Sequence, residues 1–511
     1  MMTDFATTSH GDLADLAPES VDVAVIGAGP VGLTLATLLA SYGARTAIFD
    51  RAAGPARFSR AAVVHARTLE TLDALGVTDE MLEHGVQVPV FGVRDRDRRL
   101  LKVGFGELQT PYPFTLMLPQ DETEAILRAA LERRGAQIRW GHELTGLRQE
   151  DDGATLTVTS AEREMQVHAR YVVGCDGARS VVRELSGIPF EGETYPQSFV
   201  LADVDMDWPL SRDEVQLFFS PEGLVVVAPL PGERRYRIVA TVDEAPPEPS
   251  LADVQALLDA RGPRQSRSQV ERVIWSSRFR VHHRLAARFR SGPAFLCGDA
   301  AHVHSPAGGL GMNTGIQDAA NLAWKLALTL KGGAADSLLD SYGTERRQAA
   351  EQVVATTHRL TRLATMRSPA LRLVRNVAMA SADWVGVLPR RLAGNLAQVD
   401  IAYTDGWRVD ASTAIERLVP SGRGDEVGSS PEFQLLVPRS FEAQADTALA
   451  HYRAATVRLG TRAGLEESLL VRPDGYVAGR APAGEYERLL AALTGALSPS
   501  GQAERRAPLL A

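Results

Sequence analysis

VAVIGAGPVG, residues 23–32, decides how this chain begins to fold. The apolar run Val23–Ile26 reads as a strand, and the glycines follow at the spacing Gly27-x-Gly29-x-x-Gly32. An apolar helical segment comes next, then a second apolar strand that ends at Asp50, 18 residues after Gly32. Strand, glycine turn, helix and strand make a βαβ unit over residues 21–50. Each glycine has its own task in such a turn. Gly27 permits the tight bend, Gly29 lets a pyrophosphate approach the backbone, and Gly32 lets the helix pack on the strand. An acid at the second strand's end can accept ribose hydroxyls, which makes Asp50 a candidate. Pro30 and Arg51, inside and just after these elements, join the cofactor-binding candidates.

Far downstream, FLCGDAAHVHSPAGGLGMN at 295–313 repeats the theme with different residues. A short strand, Ala294–Cys297, stops at Gly298-Asp299. A loop of small residues follows, with Pro306, Gly308, Gly309 and Gly311, and from Ile316 an apolar stripe runs at helical spacing. A bare loop leading to a helix N-terminus offers backbone N–H groups to an anionic or carbonyl-rich ligand. A third segment, VVGCDGARSVVR at 172–183, ends a strand at Asp176-Gly177 and continues to Arg179, Ser180 and Arg183. Taken alone, it fits a ligand-binding turn and an ordinary turn with surface arginines equally well.

The remaining chain bounds the class. With 511 residues, 45% hydrophobic and 23% charged, two or three globular domains are expected. A net charge of −8 argues against nucleic acid and anionic membrane as principal partners. Two cysteines, Cys175 and Cys297, are too few for a disulfide framework and fit a reducing compartment. Residues 1–20 hold four acids and no Lys or Arg, so they read as a disordered leader and not as a targeting signal. A cytoplasmic, soluble protein is expected. Helices are expected over 68–84, over 119–134 with Gly135 as a stop, and over most of 316–395. Alternating patterns predict antiparallel strands over 143–186 and more strands over 198–242. A Gly/Ser/Pro-containing segment at 420–431 marks a further boundary.

The ordered set of three loops resembles the single-component FAD-dependent aromatic hydroxylases of the para-hydroxybenzoate hydroxylase type. The branch of phenol, pentachlorophenol and polyketide hydroxylases is the nearest in wording. HARTLE at 65–70, LPQDETEAIL at 118–127, GDAAHVHSPAGGLGMNTGIQDAANLAWKLA at 298–327 and SYGTERR at 341–347 carry the likeness over residues 20–390. The resemblance implies an α/β fold with α+β elements. A Rossmann-like FAD-binding domain (21–185 and 285–395) is interleaved with an antiparallel substrate-binding sheet (186–284). A thioredoxin-like C-terminal domain over 405–511, trimmed in length, is implied by LLVRPDGYVAGRA at 469–481. Gly479 departs from the family there, where an aromatic is common. Without a C-x-x-C, such a domain cannot exchange dithiols.

Carried over motif by motif, the resemblance implies FAD as cofactor, with Gly27, Gly29 and Gly32 at its pyrophosphate and Asp50 at its ribose. Arg60 is implied near the flavin, Gln120 near the ribityl chain, and Gly298 with Asp299 at the ribityl or pyrophosphate region. The backbone of Pro306, Gly309, Gly311, Met312 and Asn313 is implied at the flavin-ring edge. Asp176 and Arg179 are implied in handling both FAD and a transient NADPH or NADH. The activity implied is oxygen transfer from O2, through a flavin C4a-hydroperoxide, to a phenolic or polycyclic aromatic, in a dry pocket. Baeyer–Villiger insertion, epoxidation or antibiotic modification on the same scaffold, and a non-catalytic flavin-binding protein, are the alternatives. A homodimer is left open.

Blander readings stand beside several residues. The His302-x-His304 pair has no further ligand at metal-site spacing, so it is expected to shape the loop and no metal is expected. His282-His283 are expected at a solvated or core edge. Tyr236 and Arg237 are substrate-side candidates on the middle sheet. Phe218, Phe219, Trp208 and Met117 are expected in cores.

Overall fold

The computed structural model describes residues 19–497, apart from 57–60, 162, 367, 411, 419–429, 453–456 and 463. Strand β1 (Glu19–Ile26), helix α1 (Pro30–Ser41) and strand β2 (Thr46–Asp50) form the expected βαβ unit. In the first sheet β1 lies parallel between β2 and the strand Glu164–Gly174. Ala294–Leu296 and Ile138–Trp140 extend the parallel set on the two sides. Four strand ends (Ile26, Asp50, Gly174 and Leu296) therefore open onto one edge, and the order in which strands are added switches sides at β1. In parallel sheets that crevice is where ligands bind.

The second sheet has eight strands, dominated by the long pair Phe190–Asp207 and Gln269–Ala286. One face joins the main core and the other packs under the helix Leu251–Arg261. The hairpin Val90–Asp95 and Arg98–Gly104 belongs to this sheet, although both strands lie inside the 21–185 segment expected to build the cofactor half. The small strand Val63–Val64, in a third sheet, lies near the junction of the two larger ones.

Several local expectations shift. The 68–84 helix is two helices, Ala66–Asp73 and Thr78–His84, separated by a turn in which Gly76 takes φ 69°. Gly135 does end the Gln120–Arg133 helix, at φ 77°. The Glu164–Gly174 strand is antiparallel to Gly153–Thr159 in its first half but parallel to β1 along its length, because its apolar end lies inside the main sheet. His282 and His283 sit within the Gln269–Ala286 strand, ahead of the short Ala294–Leu296 strand that leads to Gly298. The Leu251–Arg261 helix carries a Ser250–Asp253 capping box that the pattern reading passed over.

The C-terminal unit is a four-stranded sheet, ordered Val457–Thr461, Phe433–Val437, Glu467–Val471, Val477–Pro482. Helices Glu442–Tyr452 and Tyr486–Leu497 accompany it. Buried charges tie it to the rest: Arg472 donates to both oxygens of Glu345 (2.8 and 2.7 Å), and Lys325 donates to the same carboxylate at 3.0 Å. Gly479 is explained by crowding. A Cβ there would lie 2.6 Å from Val409 and 2.9 Å from Leu489, so no aromatic fits.

Candidate active site

The Gly27 turn is built by backbone crowding. Gly27 takes φ 103°, and a side chain there would strike the Cys175 carbonyl on the adjacent strand end. A Cβ on Gly32 would collide with the Gly27 carbonyl oxygen. Gly29 is different: nothing lies within 4 Å of where its Cβ would be. It is the residue preceding α1, and Pro30 occupies the first helical position. Two glycines are required by close packing and one leaves its approach open, the arrangement a pyrophosphate needs at a helix N-terminus. Asp50 reaches back to this turn. Its carboxylate accepts from the Ala28 N–H and the Ala52 N–H, both at 2.8 Å. Arg51 is exposed beside it, and Arg60 lies outside the described residues.

The second half of the site is the loop to the Leu310–Leu330 helix. That helix starts six residues before the apolar stripe at Ile316, because Gly309 at φ 67° turns the chain into it. The N–H groups of Leu310, Gly311 and Met312, in its first turn, have no intrahelical acceptor. Pro306 accepts from the Gly309 N–H at 2.9 Å, which closes the turn. Asn313 locks the loop from below: its Oδ1 accepts from the His65 N–H (2.8 Å), and its Nδ2 donates to Val63 O (2.8 Å) and Gly309 O (2.7 Å). His65 adds a bond from Nε2 to Gly308 O at 2.8 Å. A carbonyl only accepts, so Nε2 carries the proton and Nδ1 accepts from Thr115 Oγ1 at 3.2 Å. Burial pushes this imidazole down to about 4, against the pull of the Gly308 carbonyl, so it is neutral at pH 7.

The Gly298-Asp299 turn is held from behind by Asp318. This fully buried carboxylate accepts from the Gly298 N–H (3.0 Å), His302 Nε2 (2.7 Å) and Arg346 Nε (2.7 Å). Burial opposes its charge, but His302 and Arg346 overcome that and hold the carboxyl below its ordinary range. His302 thus serves the loop. Close approach explains Gly298 and Gly315 together: a Cβ on either would press on Val31 of α1, at 3.0 and 2.6 Å. Asp299 itself is exposed on the short turn Gly298–Ala300.

Other candidates fall differently. Asp176 faces inward and caps the five-residue helix Val181–Leu185, accepting from the N–H groups of Val181 (2.7 Å) and Val182 (3.2 Å). Arg179 is exposed. Gln120 is bonded to Ala61 in both directions, its Oε1 accepting at 3.3 Å and its N–H donating to Ala61 O at 3.1 Å. Arg237 is buried, paired through two nitrogens with Asp203 (2.7 and 2.8 Å), and also donates to Ala61 O at 2.8 Å. Tyr236 must be corrected. Adjacent strand residues point to opposite faces, and Tyr236 packs with Trp208 and Phe218 in the core beneath the Leu251–Arg261 helix. It faces away from the loops that Arg237 faces.

His65, Asp318 and Arg346 are the supporting residues that sequence reasoning missed. The words HARTLE, GIQDA and SYGTERR contain them, so the signal was present without a role attached.

Residues 20–357 match the family described as FAD binding domain. Over 375 residues the chain is 40% identical to 6-methylpretetramide 4-monooxygenase of Streptomyces rimosus, covering 72% of this chain and 67% of that protein. It is 34% identical over 364 residues to pentachlorophenol 4-monooxygenase of Sphingobium chlorophenolicum, covering 70% of this chain and 66% of that one. Among solved structures, the OxyS anhydrotetracycline hydroxylase from Streptomyces rimosus superposes with a TM-score of 0.74 at 32% identity, covering 91% of this chain and 96% of that one. Fold and site together define an FAD-dependent monooxygenase. The chain belongs to the FAD-binding-domain family, among its aromatic and polyketide hydroxylases. No helix among the described residues is long and apolar enough to cross a membrane.

Proposed function

We propose that the protein uses NADPH or NADH and O2 to hydroxylate a phenolic, polycyclic aromatic substrate between the Gly308–Asn313 loop and the Asp203–Arg237 face of the second sheet. One observation carries this reading. The short stretch Ala61–His65 is bonded by Arg237 at one end and by Gly308 and Asn313 at the other. It therefore brings that sheet face alongside the loop. The names of the relatives support an aromatic substrate of polyketide type.

Gly27, Gly29, Pro30 and Gly32 would hold the FAD pyrophosphate, and Asp50 with Arg51 the adenosine end. Gln120, Gly298 and Asp299 would flank the ribityl chain, and the Pro306–Asn313 backbone the ring edge. Bound FAD, once reduced, supplies the chemistry that activates O2 for transfer. The chain's own contribution is positional and electrostatic. N–H groups at the start of the Leu310–Leu330 helix stabilise negative charge without titrating. The glycine loop, packed from behind by neutral His65, keeps water out. Asp203 orients Arg237, whose guanidinium ties the sheet to Ala61. Asp176 acts by fixing the short helix after its turn, and Arg179 stands where a transient nicotinamide cofactor would meet it.

Two further parts belong to this reading. The C-terminal unit is a thioredoxin-like domain with a packing role, and residence is cytoplasmic, in keeping with two free cysteines. The test is NAD(P)H oxidation by the FAD-loaded enzyme, screened over phenols and polyketide-type quinones with product mass spectrometry. The expected product gains one oxygen atom on an intact ring. A ring-opened or lactone product would replace the reading with a Baeyer–Villiger oxidation, and no stimulation by any aromatic would overturn it.

A further inference from the structure

A cavity of about 300 Å³ lies between the Ala66–Asp73 and Leu310–Leu330 helices on one side and the C-terminal sheet on the other. No residue of the three cofactor loops lines it. Its volume falls at the lower end of the range for small-molecule pockets. Three polar atoms of its wall have no hydrogen-bond partner among the described residues: Gln317 Oε1, Asn321 Oδ1 and Arg67 Nε. The residues that carry them are only 5%, 2% and 6% exposed. An orphaned buried polar group costs about 1–3 kcal/mol, so three around one hollow point to an occupant that bonds them.

The chemistry of the wall narrows that occupant. Its buried charges are already paired. Arg67 gives its terminal nitrogens to Glu70 (3.0 Å) and to Asp474 O (2.6 Å). Arg472 donates to Asp474 at 2.5 Å, and Arg346 to Asp318 at 2.7 Å. An ion would meet no unpaired opposite charge on this buried wall, and its desolvation would go uncompensated. What remains open is two acceptors and one donor. Gln317 and Asn321 stand one turn apart on the Leu310–Leu330 helix, about 6 Å along its axis, so both reach the cavity from one face. Their amide nitrogens are spent inside the fold. Gln317 donates to Gln398 at 2.7 Å, and Asn321 to Glu345 at 2.7 Å and Asp474 at 3.0 Å, which fixes each amide oxygen on the cavity side. Burial and the Asp474 and Glu432 carboxylates push the Tyr42 phenol well above its ordinary range, so this part of the wall is neutral as well. Leu38, Ala320, Leu418 and Phe433 make the rest apolar. Water would bond the polar atoms but leave that apolar surface wet. A hydroxyl donates and accepts at one atom, and a ring that carries several has a C–H face for the apolar wall.

We propose that this cavity binds an uncharged polyhydroxylated molecule, a free sugar of pyranose size, whose hydroxyls donate to Gln317 Oε1 and Asn321 Oδ1 and accept from Arg67 Nε. The site goes beyond the hydroxylation reading and does not depend on it. Gln317 lies on the helix that begins at the flavin-ring loop, about 10 Å along the axis from Leu310. The sugar site and the FAD site therefore use different turns of one helix.

Isothermal titration of the FAD-loaded full chain tests this, with glucose, galactose, rhamnose and inositol as neutral probes. Glucosamine and glucose 6-phosphate serve as their charged counterparts. At least one neutral probe should bind once per chain with a Kd below about 1 mM, and the charged counterparts at least tenfold more weakly. Ala320→Leu narrows the cavity without removing a hydrogen bond and should weaken binding at least tenfold. Ala74→Phe, at the end of the neighbouring helix, should do the same from a second position on the wall. Both variants should keep native FAD content and thermal unfolding. Failure of every neutral probe to bind below about 1 mM, tighter binding of a charged counterpart, or undiminished binding in a folded variant would each overturn the proposal.

Discussion

The two halves of the FAD site are held in shape by opposite means. The Gly27–Gly32 turn is fixed by what cannot fit: Cβ atoms at Gly27 and Gly32 have nowhere to go. The Gly308–Asn313 loop is fixed by what reaches in from elsewhere, namely His65, Asn313 and the Asp318 cluster behind the adjoining turn. Steric exclusion, inside the turn at Gly32 and against the Cys175 strand end at Gly27, makes a rigid turn of the backbone itself. Hydrogen bonding across the fold makes a rigid loop whose stability depends on distant partners. The first half should therefore fail all at once when altered, and the second by degrees.

The largest effect is expected from Gly32→Ala. Its methyl meets backbone, not a flexible side chain, so the cost should exceed the roughly 1–3 kcal/mol of ordinary overpacking. Expression should give little folded flavoprotein, and a native thermal transition in that variant would break the contrast. Next comes Asp318→Ala, which strands the buried Arg346 guanidinium and removes the acceptor for Gly298. A loss of about 3–5 kcal/mol in urea unfolding is expected.

The pH dependence is third. His65 stays neutral in the folded chain down to about pH 4, whereas the unfolded chain takes up its proton near 6.5. Between those values the unfolded state binds more protons, so stability falls as pH drops through the window. The total is on the order of 3 kcal/mol at full separation of the two pKa values. Urea unfolding from pH 7 to pH 4 should show this slope, and His65→Asn should remove the His65 share of it, leaving that of His304, which burial also pushes down to about 4. Smallest is Asn313→Ala, which leaves the His65 N–H and the Val63 carbonyl without their partner at about 1–3 kcal/mol. Its clearer signature is catalytic: more NAD(P)H consumed per product, as the loop loosens and water enters.

The same contrast explains what could be read from the sequence. The Gly27 turn, β1, α1, β2 and Asp50 were legible because strand period, glycine spacing and acid all fall within 30 residues. The apolar stripe puts the helix at the second loop at Ile316, whereas it starts at Leu310, where the left-handed Gly309 turns the chain and the glycines and polar residues of its first turns interrupt the stripe. Asn313 was assigned a backbone role, while its amide bonds His65, 248 positions away in sequence. No local pattern reports such a pairing. Tyr236 and Arg237 are neighbours in sequence, but strand alternation sends Arg237 to the face that bonds Ala61 and Tyr236 to a core. The Val90–Gly104 hairpin escaped notice because it pairs with strands more than 100 residues on.

Gly29 joins the two halves of the argument, because the fold does not need it and the cofactor does. FAD titration of purified, flavin-free Gly29→Val against the native chain, alongside apo-protein thermal unfolding, tests the central claim. The account predicts that the unfolding temperature stays within a few degrees while FAD affinity falls at least tenfold. Unchanged FAD affinity in a normally folded Gly29→Val would contradict it, because the pyrophosphate would then lie somewhere other than against that turn.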